Sequence, residues 1–278
     1  MSMLRVSIVR CSVLFLLLLL ALPALPAAAA DGPIAWVILD TLKPGKGGDY
    51  IRLITENYGP TLDAMQAEGK ILGWGLAEKA NADGGYTHSG WVVYPDWAAY
   101  QAVEDAFGAA FAGASEEDQA KITAGFVDAT EPHAHQIRLL RSVALELAAD
   151  APPARYLMTG DWYAQPGKEA EVRAFFDHAR PIMDGLLADG AITGFGLYEL
   201  ELHDGGSSHV TWFTCADLGA MDKVNAAFAA AGDEGPGAEQ MAALFDMSAH
   251  RDSLWQIRHN GGGGGDDGGN GGSGDDGQ

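Results

Sequence analysis

Two glutamate–histidine pairs are the residues of this chain best suited to chemistry. Glu78 precedes His88 by ten residues, and Glu199 precedes His209 by the same interval. An Asp-Gly turn signal lies within each interval, so we expect each pair to lie on adjacent strands of a hairpin, nearly opposite one another. A carboxylate beside an imidazole can orient it as a general base or as a ligand anchor. Alternatively, both pairs are solvated hairpin-end residues that a duplication has copied.

The strands that carry the two glutamates are nearly the same phrase. "GKILGWGLAEK" at 69–79 returns as "GAITGFGLYEL" at 190–200, with glycine alternating with bulky residues. A bare glycine face lets either a helix or a ligand approach the sheet closely, and helix packing is the commoner cause. We therefore expect the opposite, aromatic and acidic face to look into an enclosed interior and to bind a small ligand. The residues expected to bind it are Trp74, Leu76, Phe195 and Leu197.

The sequence repetition extends over most of the chain. Residues 34–140 align with 154–258 at a shift near 121, including "KPGK" with "QPGK" and "QIR" with "QIR". Each copy predicts a strand, a helix, two strands, two helices and a strand. Pro60 and Pro181 stand inside the first predicted helix of each copy, where proline breaks or kinks a helix. Trp91 and Trp212 alternate away from the two histidines and are expected to be core residues.

This β-α-β-β-α-α-β order, written twice, is typical of α+β ferredoxin-like units, whose sheet leaves one face uncovered. The duplicated order resembles the dimeric α/β barrel superfamily, which includes cofactor-independent monooxygenases, stress-response barrels and haem-binding chlorite dismutases. The resemblance implies that the two copies close face to face as an intramolecular barrel, and that the chain is a monomer. The expected repeats are 31–145 and 154–259, joined by a linker at 146–153.

The two ends of the chain differ from the repeats in composition. Residues 1–30 carry two arginines, an apolar run and small residues, which predict a secretory signal peptide; a retained membrane anchor is the alternative. Residues 260–278 are rich in glycine and aspartate and offer nothing to bury, so we expect a disordered tail. The mature protein is expected to be exported, to a periplasm or outside the cell.

Charge and cysteine content exclude some classes. The formal charge is -21, which should repel nucleic acid and anionic membrane surfaces, so we expect neither as a partner. Only Cys215 remains after signal cleavage, which precludes an intrachain disulfide. We expect no metal and no cofactor, because His133 and His135 lack a nearby third ligand of suitable type. Haem held by these residues or by His250 is the competing interpretation.

The sequence favours a binding protein that holds a small apolar or aromatic molecule between two sheets. The alternative is a cofactor-independent monooxygenase or isomerase that uses the glutamate–histidine pairs, and whether the chain is an enzyme stays open. A haem-binding barrel and a purely structural or stress-related protein are further readings, since fold alone does not choose among them.

Overall fold

The computed structural model describes residues 32–81, 85–148, 151–202, 207–231 and 238–261. The predicted signal peptide, both Asp-Gly turns and the predicted tail beyond Gly261 lie outside these residues. Their predictions therefore remain predictions.

The first repeat contains four strands and four helices. They are β1 (Ile34–Leu42), α1 (Gly47–Asn57), α2 (Gly59–Ala67), β2 (Gly73–Lys79), β3 (His88–Tyr94), α3 (Trp97–Gly113), α4 (Glu116–Ala129) and β4 (Thr130–Leu147). The second repeat has four strands and three helices in the described residues. They are β5 (Tyr156–Trp162), α5 (Glu169–Ala188), β6 (Gly194–Leu202), β7 (His209–Cys215), α6 (Gly219–Ala231), α7 (Ala238–Leu244) and β8 (Arg251–Asn260).

The eight strands form one closed antiparallel barrel in the order β1-β3-β2-β8-β5-β7-β6-β4. Each repeat contributes three adjacent strands, and its last strand fills a gap between the repeats. β4 pairs with β1 of its own repeat and with β6 of the other, and β8 pairs with β5 and β2 in the same way. The predicted tandem ferredoxin-like fold, closed as an intramolecular dimeric α/β barrel, is confirmed.

The helices cover the outside of the barrel through apolar clusters in both repeats. Leu62, Met65 and Val103 pack on Trp74 and Leu76 in the first. In the second, Leu186 and Val224 pack with Phe195. Burial of such large side chains is the main favourable term in folding. The strand face that packs against the helices is therefore the face that carries Trp74 in the first repeat and Phe195 in the second.

Local signals fix the helix ends. Gly69 and Gly190 follow α2 and α5 with φ angles of 70° and 66°, the left-handed conformation in which glycine ends helices without a steric penalty. Asp96 caps α3, because its side chain accepts the Ala99 N–H at 2.8 Å. In the other repeat, the Asp217 side chain accepts the N–H of Gly219, the first residue of α6, at 2.8 Å.

The two prolines act differently in the two repeats. Pro60 is the second residue of α2, which begins two residues after α1 ends, and proline is tolerated in the first turn of a helix. Pro181 lies inside the continuous helix α5. Equivalent prolines therefore have different effects: Pro60 lies where one helix gives way to another, whereas Pro181 lies within one continuous helix.

The last strand of the first repeat is longer than the sequence suggests. The sequence predicts that "ALELAADAPPA" at 144–154 is helical or irregular up to Pro152 and Pro153, but β4 continues to Leu147. Its last residues pair with β6, with Leu145 opposite Gly196 and Leu147 opposite Gly194. The strand continues because the edge of the second repeat offers it a partner, which single-strand patterning does not reveal.

Candidate functional site

A cavity of about 1040 Å³ lies inside the barrel. That volume is at the upper end of the range for pockets that hold small molecules. Its wall is largely apolar and aromatic, formed by Val37, Leu39, Trp91, Leu140, Leu157, Tyr198, Val210, Trp212 and Trp255. One end reaches the exposed Leu72 and Leu147 and the prolines of the joint, so the cavity opens to solvent there.

The glycine-bearing strand face of the repeated segments 69–79 and 190–200 points into this cavity. A Cβ added at Gly75 would overlap the ring of Trp91, and one at Gly196 would lie 2.7 Å from Trp212 Nε1. The glycines thus make room for an indole from the neighbouring strand rather than for a helix. The expectation that the opposite face looks into the barrel is wrong.

The four side chains expected to bind ligand consequently face the helices. Trp74 and Leu76 belong to the apolar cluster beneath α2 and α3, and Phe195 to its counterpart in the second repeat. Leu197 is buried with the same strand parity as Phe195. Of the four, Trp74 alone also borders the cavity, beside Gly261 at the open end.

An ion pair lies on the cavity wall away from the open end. Arg138 Nη1 is 2.6 Å from Asp161 Oδ1, and the two side chains are 9% and 19% exposed. Arg138 Nε also donates to Gln136 Oε1 at 2.9 Å, and Ser207 Oγ donates to Asp161 Oδ1 at 3.0 Å. Both charged residues line the cavity, so this corner of the largely apolar chamber is polar.

The sequence did not single out this corner, although it contained a signal for it. "QIR" occurs in both repeats, but Arg138 points into the barrel whereas Arg258 binds Glu78 Oε2 at 2.6 Å on the exposed side. The two motifs have different registers against the first strand of their own repeat, since Gln136 lies opposite Leu39 near the end of β1 whereas Gln256 lies opposite Tyr156 at the start of β5. The sequence shows that the arginine is repeated, but it does not show to which side of the sheet each side chain points.

Tyr198 supplies a further polar group in the wall. Its ring is stacked against Trp212, with centroids 6.1 Å apart. Burial raises the pKa of the Tyr198 hydroxyl well above its ordinary value. The hydroxyl therefore stays protonated at neutral pH and is a neutral hydrogen-bonding group.

The Glu78–His88 pair lies on the helix-facing side of the sheet. The two residues are direct cross-strand partners, as the spacing predicted. His88 is buried beneath the start of α1, where a Cβ on Gly47 would be 2.9 Å from its Nε2 and the Tyr50 ring centroid is 5.8 Å away. Burial lowers the pKa of His88, and the Glu78 carboxylate only partly opposes this. A neutral imidazole results.

A buried carboxyl group lies beside this histidine. Asp40 is the cross-strand partner of His88 on β1 and accepts a hydrogen bond from the Tyr50 hydroxyl. Burial raises the pKa of Asp40, although the Tyr50 hydrogen bond acts in the opposite direction. The first repeat therefore has a small polar cluster of Asp40, Tyr50 and His88 under α1.

The Glu199–His209 pair has the same register but another neighbour. The two residues are cross-strand partners, and His209 Nε2 lies 3.7 Å from Glu199 Oε1. Arg173 of α5 binds both carboxylate oxygens, with Nη2 2.5 Å from Oε2. Burial alone would raise the pKa of Glu199, but His209 and Arg173 outweigh it and lower that pKa to about 2. This pair also lies on the helix-facing side.

The candidate haem and metal residues are dispersed. In the described residues, no group of three histidine, cysteine or acidic side chains is arranged to hold a metal ion. His250 Nδ1 contacts the Asp161 carbonyl at 2.9 Å and stacks on Trp162. His135 lies opposite Asp40, and the side chain of His133 is outside the described set. Cys215 is buried, which raises its thiol pKa to about 11.

Among the residues described, none of the helices has the length and apolar content needed to cross a bilayer.

The comparisons with known proteins give a fold. No family model and no curated protein matches the sequence. The structure is similar to a "putative monooxygenase" from Fusobacterium nucleatum subsp. nucleatum ATCC 25586, with a TM-score of 0.59, 13% identity, and coverage of 85% of this chain and 97% of that one.

Two further solved structures agree. A "putative monooxygenase" from Lactobacillus acidophilus NCFM has a TM-score of 0.56 at 12% identity, covering 83% of this chain and 96% of that one. An anthrone oxidase-like protein has a TM-score of 0.51 at 12% identity, covering 84% and 94%. At such identities the likeness concerns architecture, and this chain has the dimeric α/β barrel fold.

Proposed function

We propose that this protein binds a small, largely aromatic molecule inside its barrel, between the halves that the two repeats contribute. The observation that carries the proposal is the cavity of about 1040 Å³ whose wall contains Trp91, Trp212 and Trp255. A filled core would leave no such space, because protein interiors pack as densely as organic crystals. Flat indole rings favour offset or edge contacts with an aromatic guest.

The test replaces two wall residues and measures binding of naphthalene by equilibrium dialysis. Trp91→Leu and Trp212→Leu should each weaken binding about three- to tenfold, since aromatic contacts contribute roughly 0.5–1.5 kcal/mol beyond the area they bury. The control is Trp97→Leu, because Trp97 lies on α3 against Tyr100 and Arg141, outside the cavity. Absence of binding by the unaltered protein, or equal losses in all three variants, would refute the proposal.

A second candidate is a cofactor-independent oxygenase in which a glutamate–histidine pair removes a proton from the substrate. It is supported by the 3.7 Å approach of His209 to Glu199 and by the likeness to two structures described as monooxygenases. Anthrone is a suitable probe: with O2 it gives anthraquinone and water. Glu78→Gln and Glu199→Gln should lower the protein-dependent oxidation rate, which is the measured rate minus the spontaneous rate. A rate equal to that background in the unaltered protein removes this candidate.

We also propose that the protein is exported and acts as a monomer. Export rests on the composition of residues 1–30, and the monomer on a barrel that one chain closes by itself. Mass spectrometry of protein recovered from a native host should find a chain starting near Asp31. Light scattering should give one chain per particle. A cell-retained protein with the first thirty residues intact would refute export.

A further inference from the structure

We infer that the Arg138–Asp161 pair makes the cavity selective for uncharged ligands whose polar end both accepts and donates hydrogen bonds, as a carboxamide does. This inference deepens the proposed function and rests on it. It concerns which molecules the chamber takes, not whether it takes any.

The guanidinium of Arg138 is only partly used by the protein. An arginine has five N–H donors in a fixed plane. Nε binds Gln136 and Nη1 binds Asp161, while among the described residues no hydrogen bond engages Nη2. Because Arg138 lines the cavity, the remaining donors are available to an oxygen acceptor of a ligand there.

The carboxylate of Asp161 supplies the complementary group. Its Oδ1 accepts hydrogen bonds from both Arg138 and Ser207, and no described residue donates a hydrogen bond to Oδ2. The residue also lines the cavity. A carboxamide placed against the pair can direct its carbonyl oxygen to Arg138 and its N–H to Asp161.

The charges at this corner cancel, and this decides which polar end of a ligand fits against it. An unpaired buried arginine would favour an anionic ligand, because a buried charge needs a partner. Here Asp161 already neutralises Arg138 at 2.6 Å. A carboxylate would have to compete with Asp161 and would lie beside a like charge, and a ligand cation would compete with Arg138 in the same way. An uncharged end avoids both costs.

Three probes of nearly the same shape separate the possibilities. Naphthalene has no polar end, 2-naphthamide has an uncharged donor and acceptor, and 2-naphthoate is its isosteric anion at pH 7. Equilibrium dialysis should find 2-naphthamide bound about tenfold more tightly than either of the others, the size expected for one or two well-placed hydrogen bonds.

Two variants test whether the Arg138–Asp161 pair causes the preference for 2-naphthamide. Asp161→Asn leaves Arg138 without a counter-charge, so 2-naphthoate should become the preferred probe. Arg138→Met should remove the advantage of 2-naphthamide over naphthalene. The matched control is Arg141→Met: Arg141 lies three residues along β4, pairs with Glu201 and is not among the described residues that line the cavity, so this variant should keep the probe order of the unaltered protein. Naphthalene binding confirms that each variant is folded.

The outcomes separate this inference from the proposed function. Naphthalene binding with no preference for the amide, or a preference for 2-naphthoate in the unaltered protein, overturns the inference and leaves ligand binding standing. Failure of all three probes to bind contradicts the proposed function itself. The comparison within the unaltered protein does not depend on any variant folding.

Discussion

Glu199 shows how the surroundings of a copied residue have diverged. Glu78 and Glu199 have the same cross-strand histidine, but Arg258 of the last strand binds the first and Arg173 of a helix binds the second. The sequence predicted both pairings, because hairpin register follows from spacing across a turn. It did not predict the arginines, which come from distant segments of the chain. The roles of all four residues in binding or catalysis stay a prediction.

The pKa of Glu199 predicts a pH dependence of stability. Its folded pKa of about 2 lies below the value of about 4.3 for an unfolded glutamate, so the ionised group stabilises the fold above that value and the contribution is lost as the pH falls toward 2. Glu199→Gln should cost on the order of 1 kcal/mol at pH 7. It should also reduce the drop in stability between pH 5 and pH 3.

Urea denaturation at the two pH values measures this. Glu56→Gln, at an exposed site on α1, is the control and should keep the full drop. An unchanged pH dependence in Glu199→Gln would show that the Arg173 contact contributes nothing.

At the scale of elements, the prolines offer a matched comparison. Pro181 lies inside α5, where it removes a backbone donor, whereas Pro60 stands at the start of α2. Pro181→Ala should therefore raise the melting temperature, by about 2–4 °C if the gain is near 1 kcal/mol. Pro60→Ala should leave it unchanged or lower it. The reverse order, measured by calorimetry, would show that the kink at Pro181 is required by packing against the sheet.

Element order was readable from the sequence, and the inward face of the strands was not. Alternation along 69–79 separates glycines from bulky residues correctly, but it does not say which side meets the helices. That depends on Trp91, which a neighbouring strand lays over Gly75. Likewise, the last residues of β4 are a strand only because β6 pairs with them. Contacts across the duplication decide both features, and local pattern does not contain them.

At the scale of the whole molecule, the two repeats are interlocked through their last strands. β4 pairs with β6 and β8 pairs with β2, so separating the repeats would expose two strand edges on each repeat and the cavity wall. Residues 31–150 expressed alone should self-associate or aggregate, because unpaired edges recruit other strands. Size-exclusion chromatography tests this, and a soluble monomeric half would contradict it.

Co-expression provides the control for that experiment. A second fragment covering residues 151–261 should rescue the first as a soluble one-to-one complex, since each supplies the strand partner that the other lacks. Rescue would attribute the failure of the single half to the missing partner rather than to truncation as such.

The location of a bound ligand distinguishes the barrel interior from the glutamate–histidine pairs as the binding site. A crystal structure of the protein with 2-naphthamide should show the ring inside the barrel, between Trp91 and Trp212, with its amide against Arg138 and Asp161. Ligand density between the sheet and the helices, beside His88 or His209, with the barrel interior unchanged, would contradict the account and return the site to the glutamate–histidine pairs.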